Sequence, residues 1–242
     1  VAASDRVGVV FVSHSARIAE GLVELARQMA PSATLVAAGG TDDGRIGTSF
    51  DLVSAGIVEA DAGAGVVILC DLGSAILTAE TALDFLDDET RGRVRIVDAP
   101  LVEGGVAAAV AAEAGDDLEH VVAAAETARG SAAGASATET GAAEASDAAS
   151  RAEATAAGSH ARRVTLINAD GLHARPAAEL VKLASTFGPR VTVNGTDAKS
   201  LLGIMSLGLT KGATIEIASD DPDGREAVDA IAALAESGFG EH

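Results

Sequence analysis

Apolar residues along this chain fall into short β-branched runs that alternate with longer segments where they recur every three or four positions. Residues 7–12 (VGVVFV) are the first run and read as a buried strand. Ser15 is placed to cap the helix that follows, in which Ile18, Leu22, Leu25 and Met29 form an apolar stripe ended by Pro31. Residues 34–38 predict a second strand, 39–44 (GGTDDG) a loop, and 48–60 a helix with Phe50, Val53 and Ile57 on one face. Val66 to Cys70 is a third strand, and Asp71-Leu72-Gly73-Ser74 opens a helix to about Phe85. A fourth strand spans 94–97; Pro100 and Gly104-Gly105 then lead into one alanine-rich helix ending near Thr127. Four strand–helix repeats predict a parallel sheet covered by helices on both faces. Ligands of such sheets bind beyond the carboxyl ends of the strands, where His14, residues 39–41 and residues 71–74 all fall.

The pattern breaks at 131–160, which holds 13 alanines and no Val, Ile, Leu, Met or Phe. Such a segment buries too little apolar surface to offset the entropy of ordering, so it reads as a flexible linker between a domain at 1–130 and another at 161–242. The second domain restarts the pattern. Strands are predicted at 164–167, 190–194 and 214–218 with Ala198-Lys199 extended, and helices at 174–187, 201–207 and 222–236. Pro176 falls in the first turn of its helix, and Asn194-Gly195 is a hairpin turn signal. The order βαββαβα is that of a small α+β open-faced sandwich.

Composition narrows the function. The chain has 242 residues, 48% of them hydrophobic, with no Trp or Tyr and a formal net charge of −19. Without aromatic platforms or a basic face, neither nucleic acid nor an anionic membrane is an expected partner. Residues 1–130 carry 8 Arg against 21 acids, whereas 161–242 carry 8 basic residues against 11 acids, so the two domains present surfaces of different charge. Cys70 is the only cysteine, which rules out an intrachain disulfide. No apolar run reaches membrane-spanning length, and a cytoplasmic protein is expected. No His/Cys/Asp spacing fits a metal site, and no cofactor is expected.

Candidate chemistry centres on His14 and His173, each set between a strand and a helix start. A helix N-terminus presents unpaired N–H groups and a partial positive charge, a setting suited to phosphoryl oxygens. A free imidazole, with its pKa near 6.5, is a competent nucleophile at neutral pH. Arg175 adds a cation two residues from His173.

The segments GLHARPAA at 171–178 and AKSLLGIMSLG at 198–208 closely resemble HPr, the histidine phosphocarrier of the bacterial phosphoenolpyruvate phosphotransferase system. The resemblance covers 162–240. It implies that His173 accepts phosphate on Nδ1 from enzyme I, that Arg175 stabilises the phosphoryl group, and that Leu201, Leu202, Ile204 and Met205 form an exposed apolar docking patch, some of them serving the core as well. Ser200 aligns with a serine modified by regulatory kinases in some HPr proteins; a plain helix cap is the competing reading.

The segments FVSHSARIAEG at 11–21, GGTDDGRIGTS at 39–49 and DLGSA at 71–75 resemble the phosphotransfer subunit of bacterial dihydroxyacetone kinase, which has the mannose-type enzyme IIA fold. The resemblance implies that His14 accepts phosphate through Nε2 and that Asp71 orients its ring, although Asp71 also reads as a simple helix cap. Ser15, Thr41 and Ser74 are expected to hold phosphoryl oxygens, with Gly39, Gly40 and Gly73 allowing close backbone approach. Together the two resemblances imply a relay from enzyme I to His173, then His14, then ADP on a kinase subunit that phosphorylates dihydroxyacetone held by a third subunit. The chain stops at His242, which points to a separate enzyme I. A homodimer through the first domain is also expected. Two alternatives stay open: a IIA–HPr component of a mannose-type sugar permease, and a regulatory phospho-sensor of a transcription factor. His120 and His160 belong to no motif and read as solvated residues.

Overall fold

The computed structural model describes residues 6–134, 160–168 and 171–240. The first body has strands β1 (Gly8–Ser13), β2 (Leu35–Gly39), β3 (Val66–Cys70) and β4 (Val94–Val97) in one parallel sheet ordered β2-β1-β3-β4. Its helices are α1 (Ala16–Arg27), α2 (Phe50–Ala60), α3 (Gly73–Asp84), α4 (Asp88–Gly92), α5 (Leu101–Ala114) and α6 (Leu118–Gly134). All six residues of β1 are buried, as expected of a central parallel strand covered on both faces. Side chains alternate between the two sides. Val7, Val9 and Phe11 join Val67 and Leu69 under α1 and α5, while Val10 and Val12 join Ile68 and Cys70 under α2 and α3. Glycine sets two of the closest approaches. A side chain at Gly39 would strike Ala19 and the backbone of α1, and one at Gly105 would strike the Phe11 ring.

The second body holds β5 (His160–Thr165), α7 (Ala174–Ser185), β6 (Thr192–Val193), β7 (Thr196–Asp197), α8 (Leu201–Ser206), β8 (Thr214–Ser219) and α9 (Arg225–Glu236), followed by a 3₁₀ turn at Gly238–Gly240. Its antiparallel sheet has the order β5-β8-β6-β7. Leu166, Leu180, Ile215, Ile217 and Ile231 are fully buried in its core. Asn194 and Gly195 take positive φ at the β6–β7 turn, as the pair predicts.

The structure corrects several readings. Ile18 and Leu25 are exposed; Ala19, Leu22, Val23 and Ala26 form the buried face of α1. The close approach to Gly39 admits alanine and excludes larger residues there. The single alanine-rich helix is two, α5 and α6, broken where Gly115 adopts the left-handed conformation that ends helices. α6 extends to Gly134 and β5 begins at His160, so residues 131–134 are helical and the imidazole of His160 faces the Pro222 carbonyl at 3.2 Å. The remainder of the segment read as a linker, 135–159, lies outside the described residues.

α5 is buried from Gly104 through Glu113 without a break. One side faces the sheet and α1, another faces α6, and α7 and α8 of the second body pack on the rest. Leu201, Leu202 and Ile204 are buried and Met205 half-buried, so the core role expected of some of the four is met while α8 presents no exposed apolar patch.

Candidate functional site

The carboxyl ends of β1 and β3 place His14 and Asp71 side by side, because the two strands are adjacent and in register. Asp71 Oδ1 lies 2.9 Å from His14 Nδ1. Asp71 Oδ2 accepts from the His14 backbone N–H and from the Ser13 hydroxyl, both at 2.8 Å. An ionised carboxylate only accepts hydrogen bonds, so Nδ1 carries a proton, and in the neutral ring Nε2 keeps its lone pair. Nε2 sits 2.7 Å from Ser74 Oγ, a hydroxyl that can donate to the neutral ring. Burial opposes the Asp71 charge, but hydrogen bonds from the His14 N–H, the imidazole and Ser13 outweigh it and hold the carboxyl below its ordinary pKa. His14 and Asp71 retain 21% and 17% side-chain exposure, so the ring is held yet reachable.

Ser13 is a contributor the sequence reading missed. Its hydroxyl donates to Asp71 and accepts from the Ser15 N–H at 3.1 Å, tying the carboxylate to the turn into α1. The available signal was a polar residue ending a fully buried strand next to a histidine. Ser15 occupies the N-cap position of α1, but its side chain makes no capping bond there. Gly40 has a φ of 79° and donates its N–H to the Ser13 carbonyl at 3.0 Å, while Gly47 donates to the His14 carbonyl at 2.9 Å. The 39–49 loop is thereby stitched to the histidine turn. The Thr41 hydroxyl turns away into that loop, 2.6 Å from Asp43 Oδ1, and accepts from the Arg45 N–H at 3.0 Å. Gly73 opens α3 after Leu72, which takes the N-cap position, so Asp71 is not the cap. Cys70 lies next to Asp71, but burial pushes its thiol up to about 12, with the Asp71 and Glu80 charges adding to the rise, so it stays neutral.

His173 takes the N-cap position of α7. Its N–H donates to the Gly171 carbonyl at 3.0 Å and its carbonyl accepts from Ala177 at 2.9 Å. Gly171 has a φ of 67° and lies so close to Leu209 and Thr210 that no side chain fits. Asn168, itself buried, donates to the Gly171 carbonyl at 2.6 Å and braces the same turn. The Arg175 side chain is 66% exposed and its Nε lies 3.9 Å from Glu179 Oε1, one helical turn on. Ser200 caps α8 by accepting from the Gly203 N–H at 3.2 Å. His120 pairs with Asp117 at 2.7 Å on the surface of α6. Among the described residues no helix is long and apolar enough to cross a membrane.

The chain matches two family models: the PTS system fructose IIA component over residues 8–122, and the PTS HPr component phosphorylation site over 160–237. It is 36% identical over 97% of its length to the phosphoryl donor subunit DhaM of the PEP-dependent dihydroxyacetone kinase of Escherichia coli (strain K12). That alignment covers 51% of the relative, so the chain spans about half the length of that protein. A DhaM subunit of Listeria innocua is 45% identical over 43% of this chain and 84% of its own length. The phosphocarrier protein HPr of Cupriavidus necator is 45% identical over 33% of this chain and 94% of its own length.

Proposed function

The chain belongs to the family of DhaM phosphoryl donor subunits, and from that membership we propose that it relays phosphate between two of its own histidines toward a dihydroxyacetone kinase. Residues 1–130 and 161–242 act as two carrier domains, and the segment between them as their tether. Enzyme I loads His173. The phosphoryl group then passes to His14 and on to ADP bound by the kinase subunit, which phosphorylates dihydroxyacetone on its partner subunit. In the internal step the P–N bond to His173 breaks as a P–N bond forms at His14 Nε2, and the His173 ring leaves with the bonding electron pair. Asp71 stabilises the positive charge that the His14 ring acquires, and the N-termini of α1 and α3 lie where the phosphoryl oxygens would sit.

The single observation in the structure that supports this reading is the holding of the His14 ring, with Nδ1 against Asp71 and Nε2 toward Ser74. A histidine kept only for packing needs no such arrangement. A homodimer through residues 1–130 is part of the proposal, with exposed Val58, Leu77 and Phe85 supplying apolar surface on the α2–α3 side.

The test loads the chain with enzyme I and labelled phosphoenolpyruvate, then adds the kinase and dihydroxyacetone-binding subunits, ADP and dihydroxyacetone. Label reaching dihydroxyacetone only when both His14 and His173 are intact supports the relay. Transfer by His173→Ala once a separate HPr is added to the mixture assigns loading of His14 to that HPr. Label on both histidines that never reaches dihydroxyacetone moves the assignment to a sugar permease component or a phospho-sensor.

A further inference from the structure

Between Gly104 and Ala112, α5 carries only glycine, alanine and valine, and it is apolar all round. A helix of that kind needs cover on every side. The sheet, α1 and α6 cover three directions, and the second body covers the last, through α7 and α8 against α5 and α8 against α6. Leu202, 7% exposed, sits with Ala107 of α5 and Ala128 of α6. At the far end of the contact, Lys182 of α7 donates to Glu113 Oε1 at 3.0 Å. Glu113 is 2% exposed, accepts the Ser32 N–H at 2.7 Å and has Arg6 at 3.6 Å. Burial opposes its charge, but Lys182, Ser32 and Arg6 together hold the carboxyl below its ordinary pKa. Beside these contacts lies a cavity of about 540 Å³, lined by Asp116, His120, Lys199 and Ser200 among others.

The contact places the second domain away from His14. Arg6 and Ser32 precede β1 and β2, so the Lys182–Glu113 anchor marks the amino end of the sheet, whereas His14 and Asp71 mark the carboxyl end. Six residues of β1 separate those ends by roughly 20 Å. From Lys182 back to His173, α7 reaches only about 14 Å. α7 also lies outside α5, a second helix layer beyond the sheet, and each layer adds about 8–10 Å. In-line transfer needs reacting atoms about 3–3.5 Å apart.

We propose that the outer face of the α5–α6 hairpin is a docking berth for the second domain of this same chain, and that the docked form is a resting arrangement the domain must leave before His173 meets His14. The resting role depends on the relay proposed above; the berth does not. Docking also turns Ser200 and the apolar side of α8 inward, away from other partners.

The test uses the full chain and two variants, Lys182→Glu, which sets a like charge against Glu113, and the milder Leu202→Ala. Small-angle scattering and amide hydrogen exchange read the conformation. The expected result is a compact wild type, a larger radius of gyration in Lys182→Glu, and exchange at least about tenfold faster over 107–112 and 201–206 in both variants. Unchanged protection of β3 and β8 verifies that both domains remain folded. A wild type that scatters as two separated bodies, with α8 exchanging as in the variants, overturns the berth. Transfer from His173 to His14, followed after enzyme I loading, is expected to speed up several-fold in the variants. A slower transfer overturns the resting role by making the docked form the productive one. If no label reaches His14 in any of the three proteins, the relay falls and the resting role with it, while scattering still decides the berth.

Discussion

The two histidines occupy similar places, each between a strand or loop and the start of a helix, yet the structure equips them differently. At His14 both ring nitrogens face side chains, and the carboxylate that fixes the tautomer is itself held by Ser13 and the backbone. At His173 the backbone is braced, by Gly171 and Asn168, while the nearby cation Arg175 is exposed and lies toward Glu179. Around His14 a carboxylate fixes the ring; around His173 Gly171 and Asn168 fix the turn, with an exposed cation nearby. In the proposed relay each histidine both receives and passes on the phosphoryl group, so the difference lies in what holds each acceptor and not in the number of steps.

The strongest way to break this comparison is Asp71→Asn. An amide offers N–H as readily as oxygen, so the His14 ring loses its fixed tautomer and the charge that steadies its phosphorylated form. Transfer from His173 to His14 is expected to fall by about 10²–10⁴-fold, while loading of His173 by enzyme I stays near wild type. The same variant carries a stability signature. Asp71 has a folded-state pKa below its ordinary value of 3.8, so its contribution is present above that value and is lost as pH falls through the folded-state pKa. Acid unfolding monitored by circular dichroism should therefore show a shallower loss of stability below about pH 4 in Asp71→Asn than in wild type. Equal acid limbs would count against the hydrogen-bonded carboxylate.

Next in size is Arg175→Gln. A charge-assisted hydrogen bond to a phosphoryl oxygen contributes more than a neutral one, but the side chain is exposed and screened. Loading of His173 is expected to slow by about tenfold, with no change in the passage of phosphate from a preloaded His14 to the kinase subunit. A rate unchanged in both steps would leave Arg175 as a surface charge paired with Glu179.

Much of this organisation was legible in the sequence, because it rests on local pattern. The apolar runs of β1, β3 and β4, the Asn194-Gly195 turn and the His173-Ala174-Arg175-Pro176 helix start each announce themselves within a few residues. What stayed hidden depends on packing between segments distant in the chain. The buried side of α1 is read from alanines only once Gly39 of β2 is known to lie against it. The break at Gly115 is masked by an alanine-rich composition that shows no change of period on either side. Thr41 carries the right functional group in the right loop, yet Asp43 and Arg45, two and four residues on, engage its hydroxyl. Leu202 packs on Ala107 of α5 and Ala128 of α6, segments far earlier in the chain, and nothing in the α8 sequence signals that contact.

The smallest expected effect sharpens the comparison most finely. If Arg175 divides its time between Glu179 and the phosphoryl group, removing the competitor should help phosphate rather than harm it. The Arg175–Glu179 contact spans one helical turn at 3.9 Å between exposed side chains, and pairs of that kind contribute about 0.3–0.5 kcal/mol. Glu179→Gln is therefore expected to raise the rate of His173 loading by about twofold and to leave helix stability nearly unchanged. Rapid-quench measurement of labelled His173 resolves a change of that size. A twofold rise would establish Arg175 as a cation recruited by the arriving phosphate. A fall would mean that Glu179 positions Arg175 for the reaction, and the His173 site would then be preorganised through its charges much as the His14 site is through its ring.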